Sequence, residues 1–202
     1  MIDALLIIIA YLLGSVSSAV IISGLLHLPD PRTQGSGNPG ATNVLRIGGK
    51  KAAVLVLTAD MLKGLIPVLI GKTFAPAPAV VAAVGLAAFL GHLYPVFFQF
   101  KGGKGVATAL GVWLGISIPM GLLLLAVWLV TAIVFRTSSL AALVATVSAP
   151  LLSLWLSGAP AYSAMAVVMG ALLIWRHKGN IRNLINGTEP KIGKKHRDPA
   201  GG

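Results

Sequence analysis

The residues of this chain that could do chemistry fall in three donor-rich stretches. The first, Gly35 to Arg46, reads GSGNPGATNVLR and holds no carboxylate. Its glycines Gly35, Gly37 and Gly40 can take positive φ and leave backbone N–H groups bare. Ser36, Asn38, Thr42 and Asn43 supply neutral donors, and Arg46 adds a planar cationic fork suited to phosphate. The second stretch, KGGKGVAT over 101–108, repeats this chemistry. Gly102, Gly103 and Gly105 expose backbone, Lys101 and Lys104 supply point charges, and Thr108 offers a hydroxyl on a helix that begins there. The third, RHKGNIRNLINGTEP over 176–190, clusters Arg176, His177, Asn180 and Arg182 ahead of Glu189. Exposed N–H groups in Gly-rich turns form nests for anions, and a helix N-terminus is itself an anion site. Taken singly, each stretch reads as a flexible turn or a basic cuff at a membrane exit. Together they point to one shared site for a molecule carrying phosphate.

Several other chemistries fail on spacing or composition. A nucleotide P-loop needs Gly-x4-Gly-Lys-Ser/Thr, but Phe98 stands where the first Gly belongs and Gly105 follows Lys104. The only acids are Asp3, Asp30, Asp60, Glu189 and Asp198, so the stretches hold no carboxylate pair for glycosidase or metal-dependent work. With no Cys and four scattered His, neither disulfides nor a zinc site is expected. The His-x4-Asp base motif of common glycerolipid acyltransferases is absent as well. The positions five beyond His27, His92, His177 and His196 are Arg32, Phe97, Arg182 and Gly201.

The elements that must position these stretches are long apolar runs. The chain has 202 residues, 56% hydrophobic and 10% charged, with a mean hydropathy of +0.88. That composition predicts an all-α polytopic membrane protein. Its net charge of +11 sits in short loops between the runs, the pattern of cytoplasmic loops and not of a nucleic-acid face. The first run carries Asp3 and no preceding Lys or Arg, so it is expected to be a retained helix, Asp3 to Leu26. Further spans are expected over Ala52–Lys72, Ala79–Phe98, Leu140–Leu156 and Ala161–Trp175. The 30 residues from Val106 to Phe135 are read as two spans broken at Ser117-Ile118-Pro119, because only that break puts every basic cluster on one face. Seven transmembrane helices result, with the N-terminus outside and the C-terminus cytoplasmic.

In this topology every Lys and Arg lies inside except Lys63 and Lys72. Its weak point is Val106–Ser117, 12 residues or roughly 18 Å of helix for a core of about 30 Å. Residues 1–190 form the transmembrane domain with motif loops at 35–46, 100–108 and 176–190, and a basic tail over 191–202 is expected to be disordered. Asp60 and Lys63, three apart in the second span, read equally as a functional pair or a mutually neutralising one. His92 reads as a packing residue.

GSGNPGATN, D-x-x-K-G at 60–64, GHLYPVFFQFKGGKGVAT and HKGN…NGTE together resemble one family, from about Tyr11 to Glu189. It is the bacterial acyl-phosphate:glycerol-3-phosphate acyltransferase family of integral membrane enzymes of phospholipid synthesis. The resemblance implies seven helices with three cytosolic motifs in the inner membrane, and no cofactor or metal. The implied reaction moves a fatty acyl group from acyl phosphate to the 1-hydroxyl of glycerol 3-phosphate, giving lysophosphatidate and inorganic phosphate. An upstream acyl-phosphate-forming enzyme is an implied partner, along with membrane lipid.

By matched position, Ser36, Asn38, Thr42 and Arg46 with His177 and Asn180 are implied to hold glycerol 3-phosphate. Lys104 and the Gly102–Gly103–Gly105 backbone, with Ser139, are implied to hold the acyl phosphate, and Asn43 and Thr108 are expected among the substrate-binding residues. Glu189 is expected to order the third motif by pairing with a cation. Lys104, Arg46, His177 and Ser36 are the expected catalytic set, with the base either His177 or a substrate phosphate oxygen. Pro39 departs from the family's usual residue; it restricts Asn38 to extended geometry and removes no donor. An apolar groove for the acyl chain is expected among the Ala- and Gly-rich third and fourth spans. The rival reading is a transporter or flippase for a phosphorylated solute or lipid, in which the same basic cluster binds without reacting.

Overall fold

The computed structural model describes residues 1–193, and these form an all-helical bundle. In chain order the helices are α1 (Ile2–Gly14), α2 (Ser18–Leu25), α3 (Ala41–Phe74), α4 (Pro78–Leu93), α5 (Val106–Ile116), α6 (Ile118–Phe135), α7 (Ser138–Ser157), α8 (Pro160–Arg176) and α9 (Lys178–Ile185). Among the described residues, α3, α6, α7 and the stretch Pro78–Phe98 are long and apolar enough to cross a membrane. The α1–α2 pair passes the same test with a bend of 41°, and α5 and α8 are shorter apolar helices.

Three features differ from the sequence expectation. The first span is broken at Ser15–Ser17 into α1 and α2. The second helix begins at Ala41, well before Ala52, so Thr42, Asn43 and Arg46 lie on a helix and not in a loop. A kink at Gly49, φ 78°, separates this motif-bearing turn from the span proper. The third stretch, expected to be loop, folds as α9. The tail expectation over 191–202 lies outside the described residues from 194 onward. At its start, Ile192 N–H donates to Arg136 O at 2.7 Å, which docks the chain against the α6–α7 corner.

The break at Ser117 is as expected, with α6 folding back along α5 so that Gly121 abuts Leu114. The length problem of α5 resolves in its packing against α3. A Cβ at Gly64 would lie 2.2 Å from Thr108 O, and one at Gly111 only 1.9 Å from Met61 O. At the far end Lys72 Nζ donates to Gly115 O and Ile116 O at 3.1 and 3.0 Å. Thus α5 runs beside α3 from the level of Asp60 to the level of Lys72. Its N-terminus starts partway down the bundle, where α4 also ends at His92–Leu93.

Both lysines that escape the basic-face pattern serve broken backbone. Lys72 caps the end of α5, and Lys63 Nζ donates to Val16 O at 2.9 Å in the α1–α2 break. Carbonyls freed at membrane depth need such donors. Close packing makes the α3–α5 seam intolerant of bulk. Gly111→Ala is expected to cost about 1–3 kcal/mol through overpacking, measurable as a lower thermal midpoint in detergent.

Candidate active site

One cavity of about 500 Å³ gathers residues from all three donor-rich stretches. Its mouth is polar, with Ser36, Asn38, Thr42, Arg46, Lys104, Ser139, His177, Asn180, Asn183 and Glu189 in its lining. Its stem is apolar, running among Leu110 and Trp113 of α5, Leu124 and Trp128 of α6, Ala145 and Ala149 of α7, and Ala166 and Met169 of α8.

Four helices begin at the mouth. Gly40–Thr42 open α3, Gly105–Ala107 open α5, Ser138 and Ser139 open α7, and His177 precedes α9. None of the four carries a side-chain cap, so the first-turn N–H groups are not taken up by capping side chains. Each N-terminus also carries the positive end of a helix dipole. With Arg46 and Lys104 added, the mouth gathers the groups that could hold an anion.

The mouth is held by polar contacts among its own members. Glu189 Oε1 accepts from Ser139 Oγ at 2.7 Å and from Asn180 Nδ2 at 2.6 Å, and Lys104 Nζ donates to Asn180 Oδ1. Glu189 thus takes neutral donors where a cation was expected, and it ties α7 to α9. Burial pushes the Lys104 ammonium below the usual lysine range; Glu189 opposes that, while Arg176 and Arg46 add to it. An anion seated between these cations would reverse the fall.

His177 has its ring fixed. Nδ1 donates to Leu173 O at 2.8 Å, because a carbonyl can only accept, and this leaves Nε2 bare. Burial pulls its pKa from 6.5 to about 4, with the Leu173 bond opposing and Lys104 assisting. The imidazole is therefore neutral at pH 7.

Other expected site residues are committed to the protein's own backbone, although Asn43 borders the cavity. Asn43 is 1% exposed and spends its amide on the loop, accepting from Ser36 N–H at 2.9 Å and donating to Pro31 O and Gln34 O at 2.8 and 2.9 Å. Gly35 and Gly37 have positive φ as expected, whereas Gly40 is extended at −149°. Thr108 is fully buried and donates to Asp60 O at 2.9 Å, so it does not line the mouth. Gly102 and Gly103 lie under the mouth and do not line it. Their carbonyls accept from Arg176 at 2.6 and 3.1 Å, and Gly103 N–H is bonded to His92 O. Of that trio Gly105 alone reaches the cavity.

The pattern of the glycerol-3-phosphate acyltransferase family matches residues 4–187. This chain belongs to that family. It is 60% identical to the glycerol-3-phosphate acyltransferase of Methylococcus capsulatus (strain ATCC 33009 / NCIMB 11132 / Bath), over 96% of this chain and 98% of the relative. Identity to that of Vibrio cholerae serotype O1 (strain M66-2) is 54%, over 96% and 93%. The fold superposes on a crystal structure of PlsY, an integral membrane glycerol 3-phosphate acyltransferase in its glycerol 3-phosphate form. The TM-score is 0.91 at 47% identity, with 96% of each chain covered. Its lysophosphatidic acid form gives 0.88 at 46%, again over 96% of each chain.

Within this family member, sequence reasoning missed Asn183, Asp60 and His92 as cavity-lining residues. Asn183 was findable, since it lies three residues from Asn180 and so on the same face of α9. The stem was placed in part. Ala107 and Ala109 of α5, the expected fourth span, do line the cavity, but the other small residues that open it are on α7 and α8, whereas the glycines of α4 and α5 serve close helix packing.

His177 also sets a pH dependence. Unfolded, the imidazole takes up a proton near 6.5; folded, it does so only near 4. Between those values the unfolded state binds more protons, so stability falls as pH falls. The thermal midpoint is expected to drop over that window, and His177→Asn should remove that part of the slope.

Proposed function

We propose that this acyltransferase moves a fatty acyl group from acyl phosphate to the 1-hydroxyl of glycerol 3-phosphate. The observation that carries this reading is one continuous cavity with a cationic, N–H-rich mouth and an apolar stem. A phosphate fits the first and an acyl chain the second. The solved PlsY structures, described by their glycerol 3-phosphate and lysophosphatidic acid forms, support the same pair of chemistries.

In the proposed reaction the 1-hydroxyl oxygen attacks the acyl carbonyl, the acyl–oxygen bond to phosphate breaks, and inorganic phosphate leaves. Ser36, Asn38, Thr42, Arg46, His177 and Asn180 hold glycerol 3-phosphate. Lys104 and the start of α5 hold the acyl phosphate, neutralising charge that develops on the leaving group. Side-by-side binding of two phosphates supplies proximity, and the cations offset their repulsion. The hydroxyl proton passes to a phosphate oxygen of the substrate. A phosphate with a second pKa of about 6 is a stronger base than an imidazole held near 4. His177, through bare Nε2, accepts a hydrogen bond and orients glycerol 3-phosphate.

We further propose seven crossings: the bent α1–α2 pair, then α3 to α8 in turn. The N-terminus lies outside, and the site faces the cytosol of a bacterial inner membrane. The gathering of Arg46, Lys104, Arg136 and α9 around one end supports this orientation. An upstream enzyme that forms acyl phosphate would supply the donor.

Purified protein given palmitoyl phosphate and glycerol 3-phosphate is expected to release phosphate only with both substrates. Lys104→Ala should lower that rate by about 100-fold or more. A protein that binds glycerol 3-phosphate and releases nothing would reverse the reading in favour of a transporter. For the base, the acid limb of the rate profile should lie near the phosphate pKa of about 6 and persist in His177→Asn. Its disappearance in that variant would make His177 the base.

A further inference from the structure

Three ionisable side chains sit at mid-bundle beneath the anion-binding mouth. Asp60 is 3% exposed, and its Oδ1 lies 2.9 Å from Lys63 Nζ, accepts from Ser18 Oγ and faces His92 Nδ1 at 3.5 Å. Capping the α1–α2 break accounts for Lys63, and neutralising Lys63 accounts for part of Asp60. It does not account for His92, whose Nδ1 has no hydrogen-bond partner among the described residues and lies 3.5 Å from that carboxylate.

The other side of His92 bears on the mouth. Its carbonyl accepts Gly103 N–H at 3.2 Å. A Cβ on Gly103 would stand 2.3 Å from His92 Nε2, and one on Gly102 would stand 2.1 Å from His92 O. The loop therefore rests directly on this residue. From above, Arg176 grips the same two residues through their carbonyls, Gly102 O at 2.6 Å and Gly103 O at 3.1 Å. Beyond Lys104, Thr108 is tied to the carbonyl of Asp60 at 2.9 Å. Lys104 thus lies between two anchors, Gly103 and Thr108, and both refer back to residue 60.

We infer that Asp60 and His92 are positioning residues that set the height and direction of Lys104 in the mouth. Asp60 aligns the imidazole, the imidazole supports Gly103, and Arg176 closes the clamp. The inference rests on the acyltransferase reading and adds residues that act on the Gly102–Lys104 loop from beneath it. Placement matters at this scale, because a displacement of about 1 Å at a reacting group can cost about 100-fold in rate.

The test uses the full chain in detergent, with wild type first shown to release phosphate from palmitoyl phosphate and glycerol 3-phosphate. Failure of wild type would sink the acyltransferase reading; only variants of an active wild type bear on the clamp. His92→Leu is expected to lower kcat and raise KM for a phosphate-bearing substrate, about tenfold or more in combination, with the thermal midpoint within a few degrees of wild type. His92→Asn, which keeps an N–H near the place of Nδ1, should recover most of the loss. Gly103→Ala should be impaired by collision with the ring, and Gly103→Ala/His92→Ala should be more active than Gly103→Ala alone, because the ring is gone. Wild-type kinetics in His92→Leu would overturn the inference. So would losses that follow thermal stability with no rescue by Asn, or a double variant no more active than Gly103→Ala alone.

Discussion

Within hydrocarbon every backbone N–H and C=O must find a partner inside the protein, and this bundle is shaped by where it breaks that rule and repairs it. The break between α1 and α2 frees Val16 O, and Lys63 supplies the donor. The break between α5 and α6 frees Gly115 O and Ile116 O, and Lys72 supplies the donor. Lys63 in turn requires Asp60, and Asp60 gathers Ser18 of α2, His92 of α4 and, through its carbonyl, Thr108 of α5. One repaired break thereby ties together four helices under the site.

The same economy governs the mouth. On the proposed reading, its anion affinity comes as much from helix beginnings as from side-chain charge. Four first turns without side-chain caps converge where, among the described residues, Arg46 and Lys104 are the cations in the lining. Other basic residues that look available are committed elsewhere. Arg32 is held by Asp30, with a bidentate pair at 2.7 and 3.1 Å, and Arg176 is spent on the Gly102 and Gly103 carbonyls. The Arg32 guanidinium holds the Asp30 carboxyl below the usual range. Dipoles and N–H groups need no counter-ion and bring no long side chain to order, which suits the proposed binding and release of phosphate.

Much of this was legible in the sequence, for identifiable reasons. Apolar runs bounded by basic loops reveal helices, and Ser117-Ile118-Pro119 marks its break, because a membrane imposes those patterns strongly. Glycine with neutral donors marks the mouth. What could not be read was how far polar side chains are consumed by their own backbone. Asn43 and Thr108 have the right chemistry for a ligand, yet one ties a loop and the other a helix seam. The kinship of Asp60 with His92 was also hidden, since 32 residues and a turn separate them. Glycine-rich composition likewise gave no sign whether it opens a groove or closes a seam; only the facing helix decides that.

The short α5 sets the vertical coordinate of the chemistry. Its N-terminus lies level with Asp60, about nine residues or roughly 14 Å along α3 from Lys51. Lys104 is carried down with it, to the level where the apolar walls of the cavity begin. In the proposed reaction an acyl donor thus need not be lifted out of the leaflet to meet a cation. The protein lowers the cation instead, into surroundings of low polarisability, where each charge acts more strongly than it would at the headgroup plane.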